Sequence, residues 1–74
     1  MWITLNGDRT EIAVAGPPGA TANMSVTDLL ASLQIDARRV AVELNLVVLK
    51  RDAFASTVIR EGDAVEIVNF VGGG

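Results

Sequence analysis

Apolar positions along this chain repeat with two different periods. Residues 1–5 (MWITL) and 10–14 (TEIAV) carry β-branched and aromatic side chains that suit strands. Asn6-Gly7 between them is a strong hairpin signal, because both central positions of a tight hairpin turn want positive φ. Residues 15–24 (AGPPGATANM) read as a loop from their Gly and Pro content, and this long connection is the one segment expected to be mobile. From residue 25 the period changes. Val26, Leu29, Leu30 and Leu33 fall at i, i+3, i+4 and i+7 on one face, and Thr27, Asp28, Ser32 and Gln34 take the other. Ser25-Val26-Thr27-Asp28 has the form of a capping box with Asp in the reciprocal position. The pattern predicts a helix of about three turns, too short to persist alone in water and dependent on packing its leucines against a sheet.

Beyond the helix the period returns to two. Residues 36–39 read as a polar connection. Val40, Val42 and Leu44 then alternate with Ala41 and Glu43 as a half-buried strand. Asn45-Leu46 reads as a turn into a short strand over 47–50, and residues 51–56 as one loose helical turn. Arg60-Glu61-Gly62-Asp63 is a turn by composition, and residues 64–70 (AVEIVNF) form the last strand. The order is hairpin, helix, strand, strand, strand. A helix placed there must lie across one face of the sheet to hide its apolar stripe. This ordering predicts an α+β protein of β-grasp type: a mixed sheet of about five strands, one main helix on one face, and the first and last strands as parallel neighbours in the middle. The division expected is a folded domain over 1–70 and a flexible glycine tail over 71–74.

Composition narrows the chemistry. The 74 residues make one domain, which buries only ~60% of its unfolded surface, with no disulfide to assist it. Cys, His and Tyr are all absent, which removes a thiol nucleophile, a cysteine zinc site and the side chain most often used for acid–base catalysis. Six basic against nine acidic residues argue against nucleic-acid binding. No apolar stretch approaches the ~18 residues needed to cross a bilayer, and Asp8, Arg9 and Glu11 interrupt any signal-peptide core. The expectation is a soluble, cytoplasmic protein, monomeric alone, with no catalytic residue, no metal and no cofactor of its own.

The sharpest chemical feature is the end of the chain. Val71-Gly72-Gly73-Gly74 follows the last strand, and three glycines contribute no side-chain packing. One reading is a frayed end. The other is a thread: from Phe70, four residues reach ~13–14 Å and can carry the Gly74 carboxylate through a narrow channel into another protein.

Longer stretches then carry a resemblance. Ile3-Thr4-Leu5-Asn6-Gly7, Ser25-Val26-Thr27-Asp28-Leu29-Leu30, Arg39-Val40-Ala41-Val42-Glu43-Leu44-Asn45, and Arg60-Glu61-Gly62-Asp63-Ala64-Val65-Glu66-Ile67-Val68 running into Phe70-Val71-Gly72-Gly73-Gly74 resemble the thiamine-pathway sulfur carrier family of small ubiquitin-like proteins. The chain departs from that pattern in its longer loop over 15–24, in Asn45-Leu46-Val47 where relatives often have Asn-Gly and an acidic residue, and in Lys50-Arg51 where Pro-Arg is common. The resemblance implies a carrier that is a substrate of its partners and not an enzyme. Gly74 would be adenylated by an enzyme related to ubiquitin activators, which uses ATP and Mg²⁺. It would then become a thiocarboxylate with sulfur from a cysteine desulfurase or a rhodanese-like protein, and donate that sulfur to thiazole synthase. Val71, Gly72, Gly73 and Gly74 would enter the partner's active site. The small subunit of molybdopterin synthase, a carrier for cysteine synthesis, a ubiquitin-like protein modifier and a plain interaction domain remain alternatives.

Strand alternation also suggests a docking surface. With Val65 and Ile67 facing the helix, Glu66, Val68 and Phe70 point to the uncovered face of the sheet. Ile3 and Leu5 inward would leave Trp2 outside. Trp2, Glu66, Val68 and Phe70 are therefore the candidate partner-docking residues, unless Trp2 or Phe70 wraps round the edge into the core. Arg38-Arg39 reads as a solvated pair or a contact for an acidic partner. Glu61 and Asp63 flanking Gly62 read as part of a plain turn and not a calcium loop.

Overall fold

A computed structural model describes residues 1–13 and 24–70. Residues 15–23 of the loop expected over 15–24, and the tail over 71–74, lie outside the described residues. The strands are β1 (Trp2–Leu5), β2 (Asp8–Glu11), β3 (Met24–Ser25), β4 (Val40–Leu44), β5 (Val47–Leu49), β6 (Val58–Ile59) and β7 (Ala64–Asn69), with one α-helix, α1 (Val26–Ser32). Five strands form one sheet in the order β2-β1-β7-β4-β5, and β3 pairs with β6 apart from it. β1 runs parallel to β7 and antiparallel to β2, while β4 runs antiparallel to both β7 and β5. The first and last strands thus lie side by side in the centre, as the element order predicts.

The helix begins where the sequence places it. Asp28 N–H donates to Ser25 Oγ at 3.0 Å, and Ser25 N–H donates to Asp28 Oδ2 at 3.1 Å. This capping box satisfies one of the donors that a helix start leaves open. Val26 N–H and Thr27 N–H donate to the carbonyls of Thr57 and Phe54, so the helix start is tied to a second segment. The β3–β6 pair, Met24↔Ile59 and Ser25↔Val58, reinforces that tie. Met24 is accordingly a buried strand residue and not part of the preceding loop. The helix is a turn shorter than its apolar spacing predicts. Gln34 takes a φ of +59°, Gln34 N–H donates to Ala31 O and Ile35 N–H donates to Leu30 O. This is a Schellman closure, with a glutamine where glycine is usual. Leu33 becomes the C-cap, yet still packs on the core.

Val26, Leu29 and Leu30 of α1 press on Ile3, Val40, Val42 and Val65 of the sheet, with Ile12, Met24, Phe54 and Ile59 closing the margins. Every one of these is buried, and no buried polar side chain accompanies them among the described residues. The segments over 36–39 and 51–56 each contain a short 3-10 turn, Ala37–Arg39 and Arg51–Ala53.

Two hairpin turns of the same kind flank the central strand. Asn6 and Gly7 have φ of +50° and +86°, and Asn45 and Leu46 have +50° and +71°. Both are two-residue turns with positive φ at each centre, the form that matches strand twist. The asparagines also reach into the sheet. Asn6 Oδ1 accepts from Ile67 N–H at 2.7 Å, and Asn45 Oδ1 accepts from Ala64 N–H at 2.9 Å. Each supplies β7 with an acceptor just where its neighbouring strand turns away. The second turn, however, holds a leucine where the first holds glycine, and Leu46 is 87% exposed. A branched side chain in the left-handed region costs roughly 1–2 kcal/mol, and nothing packs on this one in return. Leu46→Gly is therefore expected to stabilise the fold by about 0.5–1 kcal/mol, after allowing for glycine's extra freedom when unfolded, as read by urea denaturation. A destabilised Leu46→Gly protein would contradict the strain.

Candidate functional site

β7 carries the chain to its end. Its neighbours hold it on both sides, β4 over five register pairs from Val40↔Asn69 to Leu44↔Val65, and β1 beside its first residues. Asn69 is the last strand residue, one short of the predicted Phe70. Phe70 is still anchored, because its N–H donates to Arg39 O at 2.9 Å. Val71, Gly72, Gly73 and Gly74, including the carboxylate at issue, follow directly and lie outside the described residues.

The predicted docking residues fall into two groups. Glu66, Val68 and Phe70 alternate along β7 on the face away from α1, with Val68 58% and Phe70 54% exposed. Trp2 does not join them. The register Thr4↔Ala64 places Trp2 beside Gly62, whose N–H donates to Trp2 O at 2.7 Å. The whole of β7, six residues or about 20 Å of extended chain, lies between Gly62 and Phe70. The expected patch of Trp2 with Val68 and Phe70 is therefore not formed. Trp2 instead belongs to the far end of the sheet. Its N–H donates to both carboxylate oxygens of Glu61, at 3.0 and 3.1 Å, and the Arg9 guanidinium stacks 4.0 Å from its ring centroid. Glu61 and Asp63 are likewise used locally. Asp63 accepts from Arg60 N–H and from Asn45 Nδ2, which makes the 60–63 segment a hydrogen-bonded turn. No group of three or more acidic residues among the described residues is placed to hold a metal ion.

What lies beside Glu66 and Val68 comes from β4 and β5. Ala41 is opposite Val68, Glu43 is opposite Glu66, and Val48 is opposite Glu43. Together with Val42 these residues line a shallow open groove on the uncovered face. Ala41 and Glu43 alternate outward in the sequence, but no periodicity tells which strand stands next to β7. Two carboxylates face each other across this groove, an arrangement that like charges on directly opposed positions disfavour.

At the end of the sheet from which the tail departs, Asp36 organises the basic residues. Arg38 donates to it through Nε and Nη2 at 3.1 and 3.0 Å, Arg38 N–H adds a third bond at 2.9 Å, and Arg39 Nε stands at 3.8 Å. These hydrogen bonds from Arg38, side chain first and then backbone, with the nearby positive charge, hold the Asp36 carboxyl at about 2, below its ordinary 3.8. Arg51 Nη2 donates to Arg38 O at 3.1 Å and draws the two 3-10 turns together.

The fold defines a small ubiquitin-like β-grasp protein, with Val71-Gly72-Gly73-Gly74 following its central last strand in the sequence. Comparison with known proteins gives the family. The ThiS family model matches residues 3–74, and the chain belongs to that family. A crystal structure of thiamine biosynthesis protein ThiS from Geobacter metallireducens superposes with a TM-score of 0.78 at 43% identity, covering all of both chains. The sulfur carrier protein ThiS of Bacillus subtilis is 38% identical over 50 residues, 68% of this chain and 76% of that protein. A thiazole synthase of Paramagnetospirillum magneticum is 36% identical over all 74 residues, yet the match occupies 20% of its length. The chain thus spans about a fifth of the thiazole synthases it resembles. No helix among the described residues is long and apolar enough to cross a membrane.

Two outcomes are expected. Phe70→Ala should unfold at nearly the urea concentration of the unsubstituted chain, a loss under about 1 kcal/mol, because the residue is already 54% exposed. A loss of ~3 kcal/mol or more, typical of a buried phenylalanine, would place the ring in the core. Asp36 should titrate near 2 in a carboxyl-detected NMR experiment. Its folded value lies below its unfolded one, so its contribution to stability is complete above pH 3.8 and fades as pH falls through about 2. A midpoint at 3.8 would show that the Arg38 contact is absent in solution.

Proposed function

We propose that this chain is a sulfur carrier for thiazole formation in thiamine biosynthesis, acting as a protein-borne substrate and not as an enzyme. The observation that carries the reading is the coupling of a firmly held central strand to Val71-Gly72-Gly73-Gly74, in a chain whose family match runs to its last residue. The folded part serves as a handle, and the Gly74 carboxylate is the group handled.

The chemistry follows from what a carboxylate lacks. It is a poor electrophile, since its charge is delocalised and it offers no good leaving group. An adenylating partner related to ubiquitin activators would join Gly74 to AMP from ATP and release pyrophosphate, with Mg²⁺ held by that partner. The terminal sulfur of a persulfide, supplied by a cysteine desulfurase or rhodanese-like protein, would attack the carbonyl and expel AMP. A thiol would then reduce the resulting acyl persulfide, forming a disulfide and freeing the thiocarboxylate. The sulfur passes finally to thiazole synthase. The full-length likeness of this chain to part of two thiazole synthases supports that last partner, because there a segment similar to this chain lies within a protein of that name. Glycine at the reacting end keeps the carbonyl unhindered and lets the thread adopt whatever dihedrals a channel imposes. Val71, Gly72 and Gly73 would occupy that channel. Glu66, Val68 and Phe70, on the face beside the strand's end, are the proposed docking residues; Trp2, at the other end, is not among them.

Incubation with the activating enzyme, ATP and a sulfur donor should raise the intact mass by about 16 Da, one oxygen replaced by sulfur. Deleting Gly73 and Gly74 should abolish that gain and leave thermal unfolding unchanged. An unmodified mass with partners proven competent on another carrier would refute the proposal.

A further inference from the structure

Resting on the reading that thiazole synthase receives the tail, we propose that Arg38, Arg39, Lys50 and Arg51 form a docking corner for a carboxylate-rich rim around the cleft of that enzyme. These are four of the six basic residues in a chain of net charge −3. The fold gathers them from two separate segments, the 3-10 turn before β4 and the one after β5. Arg51 Nη2 bonds to Arg38 O, which joins the segments. Phe70 N–H bonds to Arg39 O, which sets the corner directly against the residue that precedes the tail. The β4–β5 register continues Lys50 to the level of Ala41, and Ala41 is opposite Val68. The corner therefore adjoins the exposed apolar residues at the end of β7.

Its charge is available. The Arg38 and Arg39 side chains are 80% and 81% exposed, and Lys50 and Arg51 are exposed as well. Asp36 takes up Arg38 closely and Arg39 only at 3.8 Å, and these are the only ion pairs of the corner among the described residues. Of nine acidic residues, Asp36 and Asp52 alone belong to these segments. The corner is thus net positive on a molecule that is otherwise net negative. Such a separation turns the tail-bearing end toward negative potential and the remainder away from it. It speeds productive encounter with an acidic rim and slows encounter in other orientations. Four exposed cations on two turns suit a broad, hydrated contact with protein better than a desolvated pocket for a free anion.

Association with the thiazole synthase of the same organism, followed by stopped-flow fluorescence at about 20 and 200 mM NaCl, tests this. The wild-type rate should fall roughly tenfold across that range. Lys50→Glu and Arg39→Glu should each associate about three- to tenfold more slowly at low salt, with the difference shrinking at high salt. Arg60→Glu changes net charge by the same amount at the opposite end of the sheet, beside Trp2, and should associate at the wild-type rate. Equal thermal midpoints confirm that all three variants are folded. Lys50→Glu and Arg39→Glu rates matching that of Arg60→Glu, a salt-independent wild-type rate, or no association at any salt would each overturn the docking corner. The mass assay above is independent of it: a chain that gains sulfur but shows no such charge dependence keeps its carrier role and loses this interface.

Discussion

The structure depends on how β7 is held. It has β1 on one side and β4 on the other, and it ends at Asn69, just before Phe70 and the tail. β4 gives it five register pairs, but β1 is short and turns away after Leu5. β4 likewise turns away after Leu44, and the backbone donors these two turns would leave open are met by asparagine side chains, Asn6 toward Ile67 beyond β1 and Asn45 toward Ala64 beyond β4. A buried or sheet-bound N–H without a partner is costly, so these turn residues complete the central strand as well as reversing the chain. Val65 then sets that strand against the helix leucines, and the core closes around it.

With so small a core, the division of labour between faces is strict. One face of the sheet is spent on α1, and its residues are almost all aliphatic. Among the described residues the other has no second layer, so its side chains answer to solvent or to a partner. Val48, Val68 and Phe70 stay exposed there, and Glu43 and Glu66 stand at opposite positions of β4 and β7, with no ion pair to either among the described residues. The Asp36 carboxyl, held low by its hydrogen bonds from Arg38, is a surface partner of that residue.

Much of this was legible in the sequence, for local reasons. Asn6-Gly7 announced its turn, Ser25 and Asp28 announced the cap, and the alternation over 40–44 and 64–70 gave the right faces to Val42, Glu43, Val65 and Val68. The two-residue strands Met24–Ser25 and Val58–Ile59 left no trace, because a period cannot be read from two positions. The helix stop was hidden since Gln34, not glycine, takes the left-handed conformation. Trp2 shows the sharper limit. Alternation states which face a side chain occupies but not its level along the neighbouring strand, and the parallel β1–β7 register puts Trp2 and Phe70 at opposite ends. The corner of Arg38, Arg39, Lys50 and Arg51 is a product of chain crossing, invisible until two distant turns meet.

The parallel pairing of β1 with β7 has a mechanical side. A pull on the C-terminus, resisted at Met1, runs along both strands in opposite directions. The bonds from Thr4 N–H to Asp63 O, from Asn6 N–H to Val65 O and from Gly62 N–H to Trp2 O are then loaded in shear, together, instead of being peeled open one at a time. A motor or tight enzyme gripping the last residues would have to break these bonds together to part the two central strands.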